Sequence, residues 1–176
     1  ETHLIRRGLL APPIVCASGA DKNGGVGGIW MGADSIREAA RARFESSVVA
    51  GANLAFDAAC LMEAHPDIRL AIFRAYREGR ICDVLLGEGL HAICGGHLGI
   101  DPRTRGPLRH PSTGKESRRY SLEVVSDLVL GRVDAKSRAA FRLSYALFDG
   151  VPSGRWPREA REYPIDDAKN PLDVAV

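Results

Sequence analysis

Val48-Val49-Ala50-Gly51-Ala52-Asn53-Leu54-Ala55-Phe56-Asp57 reads as a short apolar strand that enters a helix through a polar residue and sets a carboxylate in its first turn. Asn53 and Asp57 lie one helical turn apart, on one face. Alone, the pair reads as an N-cap followed by an acid that favours the helix dipole. The chain repeats the arrangement near its end, where Tyr163-Pro164-Ile165-Asp166-Asp167 places Asp167 one turn after Tyr163, and it opens on Glu1-Thr2. Carboxylates gathered from distant segments repel one another unless a cation holds them, and hard oxygen ligands of this kind suit Mg²⁺ or Mn²⁺.

Upstream of this stretch, Ile14-Val15-Cys16-Ala17-Ser18 has a buried-strand pattern, and Asp21-Lys22-Asn23-Gly24-Gly25 supplies an Asn-Gly hairpin turn. The return strand is expected over 26–31. Ser35-Ile36-Arg37-Glu38 has the form of a capping box opening a helix through about Phe44. Downstream, the Asn53 helix runs through Leu61 and Met62. Pro66 restarts a helix with apolar positions Ile68, Ile72, Phe73 and Tyr76, which Gly79 closes. Arg80 to Leu86 is a last strand or a strand-to-helix entry, with a helix to about Ile93 that Gly95-Gly96 breaks. Beyond the irregular stretch 97–119, helices are predicted from Leu122 to Gly131, over roughly 137–148, and over 156–170. Strands thus dominate the first half and helices the second, an α/β domain with a hairpin-bearing mixed sheet.

Composition admits many functions. Hydrophobic content of 45% and charged content of 26% are ordinary globular values, and a net charge of +2 supplies no global basic field for nucleic acid. Cys16, Cys60, Cys82 and Cys94 form no CxxC pair, so buried thiols in a reducing compartment are expected rather than a zinc site. No apolar stretch reaches the roughly 18–20 residues of a membrane span. Gly25-Val26-Gly27-Gly28 lacks the third glycine of a dinucleotide loop. Gly114-Lys115 has Glu116 where a phosphate loop needs Ser or Thr. Serine-hydrolase and zincin patterns do not occur. His3, His65, His91, His97 and His110 are scattered and read as surface or satisfied side chains, with His3 of interest beside Glu1. Asp83 reads as structural, or as a residue that supports the site without touching the reacting groups.

Taken in order, Glu1-Thr2, Asn53…Phe56-Asp57 and Tyr163…Asp167 resemble the three motifs of the proofreading 3′–5′ exonucleases of the DEDD superfamily. The resemblance is to the exonuclease domain of family A, polymerase I-like, phage-type DNA polymerases. Those domains carry Asp-x-Glu-Thr, Asn-x-x-(Phe/Tyr)-Asp and Tyr-x-x-x-Asp. The intervening text, Ile72 to Arg80 leading to Asp83, Tyr120-Ser121-Leu122, and Gly150-Val151-Pro152 through Trp156-Pro157 to Tyr163, is similar as well. Three departures stand out. The first-motif aspartate belongs two residues before Glu1, outside this chain. Ala52 stands where a histidine often precedes the motif asparagine. Pro164 requires the last helix to begin about there, and Pro171 to shorten or kink it.

The resemblance implies a ribonuclease H-like fold, with 1–176 as a single exonuclease domain, a piece of a longer polymerase whose first strand lies upstream. It implies catalytic roles for Glu1, Asp57, Tyr163 and Asp167. Glu1, Asp57 and Asp167 would serve as ligands of two divalent ions, Mg²⁺ or Mn²⁺. Tyr163 would orient the attacking water, and Thr2, Leu4 or Ile5, and Asn53 would lie along the substrate. The implied partners are a single-stranded DNA 3′ end and a polymerase domain in the same longer chain, cytoplasmic and bacterial or phage-encoded, with deoxynucleoside 5′-monophosphates as products. The basic stretch Arg103, Arg105, Arg109, Lys115, Arg118 and Arg119 would track phosphates, or else be a solvated disordered loop. With the bridging aspartate outside the chain, weak or no hydrolysis is expected of these 176 residues alone. The rival readings are a free-standing DEDD exonuclease on DNA or RNA, and a catalytically silent domain that binds single strands or supports a polymerase.

Overall fold

Glu1 to His3 run extended beside Pro13 to Cys16. The Glu1 carbonyl accepts from the N–H groups of Val15 and Cys16 at 2.8 and 3.2 Å, and His3 N–H donates to the Pro13 carbonyl at 2.9 Å. In this computed structural model, which describes residues 1–3, 8, 10–22, 27–117, 120–132 and 144–175, the pairing continues into β1 (Cys16–Ser18). β1 in turn pairs antiparallel with β2 (Ile29–Met31), joining Cys16 to Met31 and Ser18 to Ile29. The expected hairpin is therefore present, although its turn residues 23–26 lie outside the described residues.

Helix α1 (Ala33–Ser46) starts two residues before Ser35. Gly32, at φ 79°, turns the chain out of β2 directly into the helix, with no side-chain cap. The expected capping box is thus not used, and Asp34 instead pairs with Arg37 at 2.8 Å on the first turn. Arg43 lies over the Trp30 ring, 4.2 Å from its centroid, and fastens α1 to the hairpin.

β3 (Val49–Gly51) leads into α2 (Leu54–Ala64), a short 3₁₀ turn at Pro66–Ile68 and α3 (Arg69–Arg77). The chain then returns as β4 (Ile81–Asp83), parallel to β3, with Val49 opposite Ile81 and Gly51 opposite Asp83. Ile68, Ile72 and Ala75 recur at helical spacing and fill a core with Ala40, Phe44 and Ala58. Phe73 and Tyr76, expected on that face, point outward at 57% and 42% exposure, because only the 68–72–75 stripe meets α1. Arg80 closes this unit by donating at 2.8 Å to the carbonyls of Phe44 and Ser47 at the end of α1.

α4 (Val84–Cys94) follows β4 at once and ends, as expected, at Gly95-Gly96. The stretch after it is ordered where described. Bridges join Ile100 to Pro107 and Arg109 to Glu116, and Arg103 bonds Asp101 and Asp127 at 3.0 and 2.7 Å. Arg103 is therefore tied to its neighbours. Arg118 and Arg119 lie outside the described residues.

α5 (Leu122–Leu130) begins at Ser121, whose hydroxyl accepts from Val124 N–H at 3.4 Å, and ends at Gly131. Of the helix expected over 137–148, residues up to 143 lie outside the described residues, and Tyr145–Phe148 form a 3₁₀ turn. α6 (Arg158–Ala175) packs on α5 and against β1, β2 and β3. A second core gathers Val15, Cys16, Tyr145, Trp156 and Ala160 beneath it.

The chain is a mixed α/β fold, with one antiparallel and one parallel pair of strands among the described residues. Its first half is not strand-dominated. Gly32 cuts β2, Gly51 cuts β3, and Asp83 converts β4 into α4, so each strand is three residues long. Among the described residues no helix is long and apolar enough to cross a membrane.

Candidate functional site

The turn from β3 into α2 is shaped by a close approach. A Cβ on Gly51 would lie 2.5 Å from Leu54 Cδ2, so only glycine lets Leu54 tuck beneath the strand end. Asn53 follows in the left-handed region, at φ 60° and ψ 43°, which asparagine tolerates better than most residues. Its side chain makes no capping bond. The capping duty expected of Asn53 falls to Asp83, whose Oδ2 accepts from Leu54 N–H at 2.8 Å. The other oxygen, Oδ1, accepts from Leu85 and Leu86 N–H at 3.1 and 3.3 Å. One carboxylate thus anchors the starts of both α2 and α4. With the cap supplied from β4, the Asn53 side chain is left exposed at the cleft.

α6 carries the other paired residues, and here the structure corrects the expectation for Pro164. The helix does not begin there. It runs from Arg158 with Pro164 and Pro171 inside it. Proline at 164 has no N–H for the Ala160 carbonyl. The buried Tyr145 hydroxyl donates to that carbonyl at 2.7 Å and takes the missing donor's place. Ser18 Oγ donates to the Pro164 carbonyl at 2.7 Å and ties this part of α6 to β1. The Tyr163 ring lies 6.2 Å from that of Tyr145, within an aromatic group that includes Trp156 and Phe148.

Glu1, Thr2, Asn53, Asp57, Asp83, Tyr163 and Asp167 all line one open cleft of about 1730 Å³. Every sequence-expected site residue within the described residues therefore faces a common space, while Leu4 and Ile5 lie outside those residues. His3 lines the same cleft and meets Asp149 at 3.0 Å, Nε2 to Oδ2.

The carboxylates sense one another. Asp57 is open to cleft water yet has protein around most of its surroundings, and its carboxyl is pushed up from 3.8 to about 6. Desolvation is the largest cause. The negative charges of Glu1, Asp167 and Asp83 add to it. The Glu1 main-chain nitrogen donates to the Cys16 carbonyl at 2.5 Å. Burial likewise pushes up the Cys16 thiol, and it pushes Cys60, one turn after Asp57 on α2, up to about 11.

Hard oxygen donors that repel one another in a partly desolvated cleft fit a divalent cation such as Mg²⁺ or Mn²⁺. The carboxylates ring the space without closing on a single point. Among the described residues, the group of three ligating side chains with atoms within 4.8 Å of one another lies elsewhere, at Glu88, His91 and His97.

Four residues escape a sequence reading that follows motif spacing. Asp166 lines the cleft beside Asp167 and was visible as the first of two adjacent acids. His110 and Glu123 also line it, with Nε2 and Oε2 2.5 Å apart, and no local signal joins two residues in such different segments. Asp83 was legible as the N-cap of α4, but its bond to Leu54 depends on the parallel pairing of β3 and β4. No protein-family model, characterised protein or solved structure matches the chain.

Proposed function

We propose that the chain is a metal-dependent 3′–5′ exonuclease of the DEDD type with a ribonuclease H-like fold, the proofreading part of a family A DNA polymerase. The supporting observation is that Glu1, Asp57, Tyr163 and Asp167, from sequence-distant segments, line one cleft. The resemblance predicts these same four residues as the catalytic set. The mixed α/β fold and the hairpin at its start are compatible with it.

In this reading Glu1 and Asp167 would hold one divalent ion, and Asp57 would help to hold a second. When bound, the ions activate water and offset charge on the scissile phosphate and its leaving oxygen. The chain's own residues do the rest. Tyr163, its ring packed near Tyr145, presents its hydroxyl one turn before Asp167 and orients the attacking water. The Thr2 backbone lies beside the terminal nucleotide, held by the bridge between Thr2 and Ile14. Asn53 contacts the strand with a side chain that capping does not occupy. Single-stranded or mismatched ends are preferred because they reach the cleft at a lower unpairing cost.

The test is digestion of 3′-labelled single-stranded DNA with Mg²⁺ or Mn²⁺, beside Mn²⁺ binding followed by electron paramagnetic resonance. Stepwise shortening, or Mn²⁺ binding without it, that Asp57→Ala and Asp167→Ala both abolish supports the metal-dependent reading. DNA bound without Mn²⁺ binding or cleavage moves the assignment to a silent strand-holding domain. Neither DNA nor Mn²⁺ binding overturns it.

A further inference from the structure

The C-terminal end of α4 carries a second ligand-bearing cluster, and none of its members lines the carboxylate cleft. Glu88 and His91 sit one turn apart on the same face, with Oε2 and Nδ1 3.9 Å from each other. His97 belongs to no helix, yet the chain brings it back over the same turn. The Gly96 N–H donates to the Ile93 carbonyl at 3.1 Å and the His97 N–H to the Ala92 carbonyl at 2.9 Å. Gly96 stands between them at φ 69°. This is the Schellman reversal, which folds the residue after the glycine onto the helix end.

The close seat of the His97 ring has a second requirement. A Cβ on Gly95 would lie 2.5 Å from both Cε1 and Nδ1 of that ring, so the ring rests where only glycine allows it. The His91 and His97 rings meet edge to face, with centroids 5.7 Å apart. One ligand atom from each of Glu88, His91 and His97 lies within 4.8 Å of the others.

Ligands about 2.0–2.2 Å from a tetrahedral ion stand about 3.5 Å from one another. His91 is 74% exposed, so its torsions can close the remaining gap. The carbonyl end of a helix also favours positive charge. Two imidazoles and one carboxylate select a borderline d-block dication over Mg²⁺, which prefers oxygen alone.

We propose that Glu88, His91 and His97 form a surface site for a transition-metal dication of the Zn²⁺ class, with water completing its coordination. The site does not depend on the function assigned to the cleft. His97 begins the stretch that carries His110 to the cleft, so a bound ion would clamp that stretch to α4.

The test is calorimetric titration of the chain with Ni²⁺ and Zn²⁺ in excess Mg²⁺, which occupies hard oxygen sites, with circular dichroism to confirm folding. The expected result is one equivalent bound, weakened at least about 10-fold by His91→Ala and by His97→Ala, as loss of a coordinating contact predicts. Gly95→Ala, which keeps all three ligands but displaces the His97 ring, weakens it too. Absence of binding overturns the proposal. So does binding that survives both histidine substitutions, including binding lost only in Cys94→Ser, which would place the ion on that exposed thiol.

Discussion

Asp83 accepts a hydrogen bond from the backbone N–H of Leu54 at 2.8 Å, across the parallel pair β3 and β4, while its other oxygen caps α4. The side chain that fixes where the Asn53–Asp57 turn begins is thus separated from it by α2 and α3. Asp83→Ala removes acceptors from two helix starts, each worth about 1 kcal/mol. A loss of about 2 kcal/mol is expected in urea unfolding, with a smaller loss for Asp83→Asn, which keeps one oxygen. A change below about 0.5 kcal/mol for the alanine variant, the range of ordinary surface substitutions, would deny the double cap its role.

The Tyr145 hydroxyl stands in for the N–H that Pro164 lacks. Tyr145→Phe leaves a buried carbonyl without its donor, and a cost of about 1–3 kcal/mol is expected. In a Pro164→Ala background the helix supplies its own N–H, so the same substitution should cost less. Equal costs in the two backgrounds, measured as a double-mutant cycle, would show that the hydroxyl and the proline are uncoupled.

The raised Asp57 carboxyl makes stability depend on pH with a definite sign. The unfolded chain loses this proton near 3.8 and the folded chain near about 6. Between those values the folded state holds a proton that the unfolded state has released, so stability falls as pH rises through the window and levels off above it. The difference corresponds to about 3 kcal/mol in a dry site. Cleft water reaches Asp57 and screens it, which leaves on the order of 1 kcal/mol. Without divalent ions, Asp57→Asn should be more stable than the parent chain at pH 7 and should flatten the slope between pH 4 and 6. A parent chain whose stability rises through that window would contradict this account.

Activity should divide the cleft residues by role. Asp57→Asn and Asp167→Asn are expected to lower stepwise 3′ shortening by more than the roughly 10–100-fold that loss of an outer-shell partner costs. Asp83→Asn, which acts through the position of Leu54, should fall within or below that range. Steady-state digestion of labelled single strands, by the chain extended upstream through the first-motif aspartate, measures all three. An Asp83→Asn loss equal to that of Asp57→Asn would place Asp83 among the groups that touch the reacting phosphate.

What could be read from the sequence follows the range of the interactions. The turn spacing of Tyr163 with Asp167 is local and both lie on α6 facing the cleft, whereas of the Asn53–Asp57 pair only Asp57 lies on α2, with Asn53 left-handed just before it. The β1–β2 hairpin and the helix stops at Gly79, Gly96 and Gly131 rest on short-range rules as well. The misread features depend on distant partners or on competing local signals. Pro164 looked like a helix start because its substitute donor, Tyr145, sits in another segment. Asn53 looked like a cap because nothing nearby announces Asp83. The Ser35–Glu38 box lost to Gly32, which had already turned the chain into α1. His91 and His97 looked scattered until the reversal at Gly96 brought them together.

The two prolines of α6 bracket Asp167, and this affects how disturbance spreads along the helix. The N–H groups after Pro171 bond carbonyls from Ala168 onward, while Pro171 itself has none to offer the Asp167 carbonyl. The backbone ladder of α6 is therefore interrupted on both sides of Asp167, at the Ala160–Pro164 and Asp167–Pro171 pairings. Local opening beyond Pro171 would thus break no backbone bond to the Asp167 carbonyl, so the ladder itself does not pass such a disturbance to the acidic residue beside the cleft.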